Sequence, residues 1–339
     1  LRGRRVVVKG KRQVELEEFE LDESELKGHE IIVENKYTMI SPGTELSIYT
    51  GLDPGVYDPK SWCHYPFHPG YAGVGRVVKV GDEVEGLRIG DVVYGFFNHA
   101  SICKYDVAKR LCLPIPSELD EKTALVARFA TIGLTAVRVS SVEPGDHVLI
   151  IGLGIIGNLA AQLFREAGAF VVGTDLVARR RELLEDLGIK TLDPLDPNFN
   201  EKLLEVTEGL GPRIVVDAVG DSKVVAKAVD LVRRNGEVII LGTPRASFVT
   251  DVTPIFRKVH LNWITIKGAL EWCFPQYNVT GLRHSYESNT RYVWELIRRG
   301  RLKVRKLITH VLKPEGFREA YEGLLNKKNE YLGVIIDWT

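Results

Sequence analysis

The stretch His147–Asp175, HVLIIGLGIIGNLAAQLFREAGAFVVGTD, decides the fold. It opens with a β-branched run and turns through Gly152-Leu153-Gly154-Ile155-Ile156-Gly157. It then continues as an apolar-periodic helix and ends on a second β-branched run closed by Asp175. That is a strand–turn–helix–strand unit of a parallel sheet. Gly152 permits the tight turn, Gly154 lets a backbone approach a pyrophosphate, and Gly157 lets helix and strand pack closely. The helix start at Ile155 and Ile156 offers unpaired N–H groups and a positive dipole end to phosphates. Asp175 lies twenty-one positions after Gly154, the spacing of a carboxylate that binds the adenosine ribose hydroxyls. A carboxylate there repels a 2′-phosphate and favours NAD. Arg179, Arg180 and Arg181 follow directly, with Arg180 a candidate cofactor contact, and they keep NADP open.

Outward from this unit the same alternation continues. RRRELLEDLG reads as a helix, RIVVDAVG as a strand, SKVVAKAVDLVRRNG as a helix and EVIILG as a strand, with ITIKGAL as a last strand. Gly168, Gly188 and Gly236 are placed to close helices. Buried strands alternating with amphipathic helices define a doubly wound parallel sheet. The first third differs. VVVKGKRQVELEEFEL, EIIVENKYTMI and GVGRVVKVGDEVEGLRIGDVVYGFF are strands punctuated by glycine turns, with no good long helix, and they predict a small antiparallel barrel. Beyond ITIKGAL come a helix in RYVWELIRRG, a strand in KLITHVL, a helix in PEGFREAYEGLLN and a strand in GVIIDW.

Composition narrows the functional classes. Lys+Arg 45 balances Asp+Glu 45 over 339 residues, so no general attraction to nucleic acid or anionic membranes is expected. The four cysteines, Cys63, Cys103, Cys112 and Cys273, form no CxxC and no zinc-ribbon spacing, which fits a reducing compartment. The longest apolar stretch, Val148 to Phe164, is broken by three glycines and carries Asn158 and Gln162, against a membrane span. The chain reads as soluble and cytoplasmic, with a small-molecule partner.

Together these residues resemble the medium-chain dehydrogenase/reductase superfamily. The resemblance rests on GVGRVVKVGDEVEGLRIGDVVYG, Gly133-Leu134-Thr135-Ala136, EPGDHVLIIGLGIIG, VVDAVG and LITHVLKPEGFREAYEGLL, in that order along nearly the whole chain. It implies an α/β architecture. A GroES-like β-barrel catalytic domain would be made from residues 1–135 and 271–339, with a Rossmann NAD(P)-binding domain at 136–270. It also implies a nicotinamide cofactor in the cleft between them, with Thr135 against the ring and Val219, Gly220, Gly242 and Thr243 along the dinucleotide. Relatives suggest homodimers or homotetramers, with EVIILGTPRASFVTDV as a candidate sheet edge.

Zinc-dependent members carry ligands at three positions that here hold Pro42, Tyr71 and Thr131. Proline cannot ligate zinc, and neutral tyrosine and threonine are poor substitutes for cysteine, histidine and carboxylate. Zinc is therefore not expected. Ser-Pro-Gly-Thr-Glu with Pro-Gly-Tyr resembles in particular the bacteriochlorophyllide-a-dehydrogenase-like branch.

The chemistry expected is interconversion of a secondary alcohol and a ketone, with a sugar, polyol or sugar acid favoured. Thr44 and Tyr71 are candidates for the substrate oxygen, and Glu45 and His68 for tuning or relaying its proton. Arg128 is a candidate ion-pair partner of Glu45, and Arg128, Lys267 and His284 are candidates for an anionic substrate. Two alternatives stand beside this reading. One is a zinc-dependent polyol or alcohol dehydrogenase with unusual ligands drawn from Glu45, Cys63, His64 and His68. The other is a non-catalytic NAD(H)-binding protein, because a glycine fingerprint reports binding and not chemistry.

Overall fold

In the computed structural model, which describes residues 1–339, the amino-terminal part is mostly strand. It runs β1 (Arg2–Gly10), β2 (Gln13–Glu20), β3 (Glu30–Met39), α1 (Pro42–Tyr49), β4 (Gly73–Val80), β5 (Val92–Gly95), β6 (Ile102–Asp106) and β7 (Cys112–Pro114). The helices α2 (Glu121–Leu125) and α3 (Ala127–Val139) follow. The middle alternates: β8 (His147–Ile151), α4 (Ile155–Glu166), β9 (Phe170–Thr174), α5 (Ala178–Glu185), β10 (Lys190–Leu192) and α6 (Phe199–Val206). It continues with β11 (Ile214–Asp217), α7 (Ser222–Leu231), β12 (Glu237–Ile240), α8 (Thr253–Leu261) and β13 (Thr265–Gly268). The chain ends with α9 (Tyr286–Arg298), β14 (Ile308–Leu312), α10 (Phe317–Asn326) and β15 (Gly333–Asp337).

Packing divides these elements into two units, Leu1–Arg128 with Phe274–Thr339, and Phe129–Cys273. The divisions fall at 128/129 and 273/274, against the 135/136 and 270/271 expected from sequence; the first lies inside α3, where no turn residue marks it.

In the unit built from both chain ends, a seven-stranded sheet has the order β14-β15-β3-β4-β5-β7, with β6 also on β3. All its pairs are antiparallel except β14 with β15. The last strand pairs with β3 through Ile335 and Met39, which ties the carboxy-terminal residues to the amino-terminal sheet. One core cluster joins Val6 and Val8 of β1, Leu46 and Tyr49 of α1, Phe317 and Tyr321 of α10, and Val334 and Ile336 of β15. It seats α1 against α10, and burying these side chains stabilises the contact by roughly 1.5–3 kcal/mol each.

In the other unit, six parallel strands take the order β10-β9-β8-β11-β12-β13, the doubly wound arrangement the alternation predicts. Its strands bury Val148, Ile150, Val216 and Ile239 on one face and Leu149, Val215 and Val238 on the other. The apolar stretch from Val148 to Phe164 is thus split between β8 and α4, and no helix of the chain is long and apolar enough to cross a membrane.

Two local expectations are corrected. The free edge beyond β12 is β13, Thr265–Gly268, and not EVIILGTPRASFVTDV; β12 is flanked by β11 and β13 on its two sides. Gly168 and Gly188 take positive φ after their helices, as expected, but after α7 the left-handed position is Asn235, with φ 56°, and not Gly236. Asparagine tolerates this conformation better than most residues.

Candidate active site

The glycine turn after β8 is built from backbone. Gly152 has φ +92°, a value that disfavours any side chain. A Cβ on Gly157 would lie 1.8 Å from the Gly152 carbonyl oxygen, so only glycine lets α4 start here. A Cβ on Gly154 would meet nothing nearer than an Arg180 guanidinium nitrogen at 4.0 Å, so the space above this turn is open. Ile155 and Ile156 open α4, with Gly154 as the N-cap. Asp175 closes β9 and is drawn onto the turn: its Oδ2 accepts from Leu153 N at 2.7 Å and its Oδ1 from Val177 N at 2.8 Å. Arg180 lies 3.5 Å from the same carboxylate. An open concave turn of amide donors beside a fixed carboxylate fits a dinucleotide.

At the end of β11 a second turn meets a third. A Cβ on Gly220, which has φ +79°, would lie 2.7 Å from the Thr243 carbonyl oxygen; one on Gly242 would lie 2.3 Å from Gly220 N. The two loops touch backbone to backbone, leaving Val219 and Thr243 exposed. Asp217 holds the first of them by accepting from Val219 N and Gly220 N at 2.9 and 3.2 Å. Its burial outweighs these hydrogen bonds and raises its carboxyl to about 6. Thr135 is fully buried, and its hydroxyl donates to the Thr131 carbonyl at 3.0 Å. The fingerprint, Asp175, Arg180, Thr135 and the Val219–Gly220 and Gly242–Thr243 loops all belong to the Phe129–Cys273 unit.

The candidate catalytic residues belong to the other unit, where β3 gives way to α1. Pro42 occupies the first turn, its fixed φ suiting a helix start. Ser41 is the N-cap, yet its side chain makes no cap hydrogen bond, although such a bond is typically worth about 1 kcal/mol. Its hydroxyl instead shares a short hydrogen bond with the Tyr71 phenol. The Ser41 amide donates to Glu45 Oε1 at 2.9 Å, a backward reach like that of a capping-box glutamate but made from one position further along the helix.

Glu45 is 1% exposed. Its carboxylate also accepts from Tyr321 OH at 2.8 Å and faces His99 Nε2 at 3.1 Å. His99, equally buried, places Nδ1 2.7 Å from Thr38 Oγ1. Thr38 in turn accepts from Trp338 Nε1 at 2.9 Å. Burying Glu45 without such partners would be costly. Its partner is therefore His99, not the Arg128 considered from sequence. Arg128, fully buried, donates from Nε to the Tyr71 carbonyl at 3.1 Å and stacks its guanidinium over the Tyr71 and Phe96 rings at 4.7 and 4.4 Å.

The structure thus gathers Tyr71 and Glu45 around Ser41. Thr44 is half-buried in the first turn of α1, its carbonyl accepting from Ser47 Oγ at 2.7 Å. His68 stands elsewhere: its ring lies beside Arg5 and Glu17, and burial together with Arg5 holds its imidazole below the usual value. It joins none of the contacts of Ser41, Tyr71 and Glu45. Cys63 Sγ turns to Asp53 Oδ1, His64 Nδ1 to the Tyr65 carbonyl, and the unusual ligand set weighed from sequence is not gathered in one place. His29, Glu30 and Asp106 bring ligand atoms within 4.8 Å at the far end of β3, where Lys109 already pairs with Asp106 at 3.1 Å. Lys267 is likewise committed, to Glu237 at 3.1 Å.

Sequence reading missed Ser41 and His99. A signal for Ser41 existed, a serine before Pro-Gly-Thr-Glu at a helix start. His99 follows β5 in a loop with no periodicity, and nothing in the chain order pairs it with Glu45.

Comparison with known proteins agrees with this fold. Residues 27–130 match the model of the alcohol dehydrogenase GroES-like domain, and residues 156–277 match that of the zinc-binding dehydrogenase family. The chain is 28% identical to 2-desacetyl-2-hydroxyethyl bacteriochlorophyllide A dehydrogenase of Cereibacter sphaeroides, covering 100% of this chain and 99% of that protein. It is 22% identical to sorbitol dehydrogenase of Halalkalibacterium halodurans, covering 91% of each. Among solved structures, galactitol-1-phosphate dehydrogenase from Escherichia coli superposes with a TM-score of 0.81 at 18% identity, over 98% of this chain and 99% of that one. The chain belongs to the medium-chain dehydrogenase/reductase superfamily and is an alcohol-dehydrogenase-like oxidoreductase.

One family name speaks of zinc. The residues that the resemblance sets at the zinc-ligand positions are Pro42, Tyr71 and Thr131. Proline offers no donor atom, the Tyr71 phenol is engaged by Ser41, and the Thr131 hydroxyl is a weak ligand when neutral. This donor set does not fit a catalytic zinc ion.

Proposed function

We propose that the protein interconverts a secondary alcohol and a ketone with NAD(H) and without a catalytic zinc ion, the substrate being a sugar, a polyol or a sugar acid. One observation carries this reading: a phenol, Tyr71, occupies a zinc-ligand position and is hydrogen-bonded through its reactive oxygen. The dinucleotide, when bound, supplies or accepts the hydride. Gly152, Gly154, Gly157 and the start of α4 at Ile155 and Ile156 would hold its pyrophosphate. Asp175 would take the ribose hydroxyls and disfavour a 2′-phosphate.

The remaining task is the proton. When a ketone is reduced, negative charge develops on its oxygen, and Tyr71 donates the proton that neutralises it. When an alcohol is oxidised, the same oxygen, having first released its own proton to solvent, receives it. The Arg128 guanidinium over the Tyr71 ring favours negative charge on that oxygen. Thr44, in the first turn of α1, is the second hydroxyl offered to the substrate. The names of the sorbitol and bacteriochlorophyllide relatives support an alcohol–ketone pair, and the polyol names favour a polyhydroxylated substrate.

The test is turnover of sorbitol, 2,3-butanediol and L-galactonate with NAD, beside NADH and NADPH titrations followed by fluorescence, in wild type and Tyr71→Phe. Expected are tighter binding of NADH than of NADPH, turnover of at least one alcohol, and a loss of about 10²–10⁴-fold in kcat for Tyr71→Phe at unchanged NADH affinity. Wild-type kcat in Tyr71→Phe would overturn the role of the phenol. NADH binding without turnover of any alcohol or ketone would favour a non-catalytic binding protein.

A further inference from the structure

Ser41 spends its hydroxyl in an unusual way. A serine at a helix N-cap ordinarily accepts from an amide of the first turn, and here it does not. Its amide is instead taken by Glu45 Oε1 at 2.9 Å, and its hydroxyl meets the Tyr71 phenol. Two side-chain groups from separate elements hold the Glu45 carboxylate: Tyr321 OH of α10 at 2.8 Å, and His99 Nε2 from the loop after β5 at 3.1 Å.

The hydrogen-bond roles can be followed from one end. Trp338 Nε1 only donates, so Thr38 Oγ1 accepts from it. The Thr38 hydroxyl can then donate to His99 Nδ1, which leaves the His99 proton on Nε2, facing Glu45. Glu45 consequently accepts from the Ser41 amide, Tyr321 OH and His99, the acceptor-only pattern of an ionised carboxylate. All of these contacts lie within the unit made of both chain ends.

We infer that Ser41 is a second catalytic hydroxyl, donating to the Tyr71 phenol oxygen while that oxygen is without its proton, and that Glu45 and His99 are positioning residues that fix Ser41 for this task. The inference rests on the proposed role of Tyr71. In the reductive direction the Tyr71 O–H bond breaks and an O–H bond forms on the substrate oxygen as the adjoining carbon takes up hydride. Ser41 keeps its own proton and hydrogen-bonds the phenolate, and a solvent proton restores the phenol. In the oxidative direction the same proton moves the opposite way. A serine hydroxyl donating to a phenolate forms a charge-assisted hydrogen bond, stronger than its neutral counterpart. Ser41 therefore favours the state of Tyr71 that has just given up its proton.

The test reads Tyr71 without any substrate. Full-length protein labelled with tyrosine-13Cζ is titrated by NMR, with the Tyr71 signal identified by its loss in Tyr71→Phe. Ser41→Ala should raise the pH midpoint of Tyr71 by about one pH unit, the counterpart of a roughly tenfold change in an ionisation equilibrium. Ser41→Thr should restore it. His99→Gln should move the midpoint in the same direction as Ser41→Ala and by less. NADH titration in each variant checks that the protein is folded.

A Tyr71 midpoint in Ser41→Ala equal to wild type, in protein that still binds NADH, overturns the inference. Should Ser41→Ala fail to fold, an unshifted midpoint in His99→Gln overturns the positioning role, and an unshifted midpoint in Ser41→Cys, whose thiol is only a weak donor, overturns that of Ser41. With a substrate in hand, Ser41→Ala should lower kcat about tenfold at unchanged KM and be rescued by Ser41→Thr. A shifted midpoint in a protein that turns over no alcohol or ketone would sink the proposed function and leave the hydroxyl pair standing.

Discussion

The two helix starts to which the proposed function assigns cofactor binding and proton handling are made in opposite ways. The Gly152–Gly157 turn, which opens α4 after β8, is almost wholly backbone: a positive φ at Gly152, an open face at Gly154, and a 1.8 Å approach that excludes any side chain at Gly157. The Ser41–Glu45 turn, which opens α1 after β3, is made of side chains. Ser41, Tyr71, Glu45, His99, Tyr321, Thr38 and Trp338 converge there from several elements. A site made of backbone needs only residues that stay out of the way, so its requirements are local. One made of side chains needs partners delivered by the fold, and it changes chemistry when one of them changes. That contrast suits an oxidoreductase in which dinucleotide binding is fixed while the handling of the substrate oxygen varies.

The contrast can be broken most severely at Gly157. Gly157→Ala places a Cβ against the Gly152 carbonyl, so α4 must shift off β8. NADH affinity should fall by 100-fold or more in a fluorescence titration, whereas the Tyr71 midpoint should stay at its wild-type value. Undiminished NADH binding in this variant would show that the turn is not the cofactor's cradle.

A smaller effect sharpens the same comparison through pH. Asp217, which holds the Val219–Gly220 loop, has its carboxyl raised by burial to about 6 from an ordinary value of 3.8. Between those two values the folded state binds the proton and the unfolded chain does not. The contribution of this group to stability is therefore full below about pH 4 and is lost as the pH rises through 6. Against Asp217→Asn, the wild-type Tm should fall by several degrees between pH 4 and 6.5. Parallel Tm curves for the two proteins would show that Asp217 does not titrate in this window.

How much of this was legible in the sequence follows the same division. The parallel sheet and the glycine turn were readable from His147–Asp175 and the alternation beyond it, because glycine spacing and 3.6-residue periodicity are local properties. Asp175 was readable because one crossover of nearly fixed length separates it from Gly154. That Pro42 and Tyr71 stand where the resemblance expects zinc ligands could be read by position, but the side chains that meet Tyr71 and Glu45 could not. His99 reaches Glu45 across 54 residues and Tyr321 reaches it across 276, and no spacing rule connects them. His68, four residues on from His64 and three before Tyr71, seemed the natural relay from proximity in sequence. The chain carries its ring to β1 instead. The edge strand was misplaced for a similar reason: EVIILG has the stronger β-branched pattern because it is an inner strand, whereas the exposed edge TIKG carries a weaker one.

The proposed function has the substrate oxygen served by Tyr71 and its hydroxyl partner and not by a metal. Its most direct test is the zinc content, by elemental analysis, of protein produced in zinc-supplemented medium, measured with turnover before and after dialysis against a chelator. Far less than one zinc per chain, and no loss of turnover on chelation, are the expected results. One zinc per chain, with turnover lost to the chelator and restored by zinc, would contradict it.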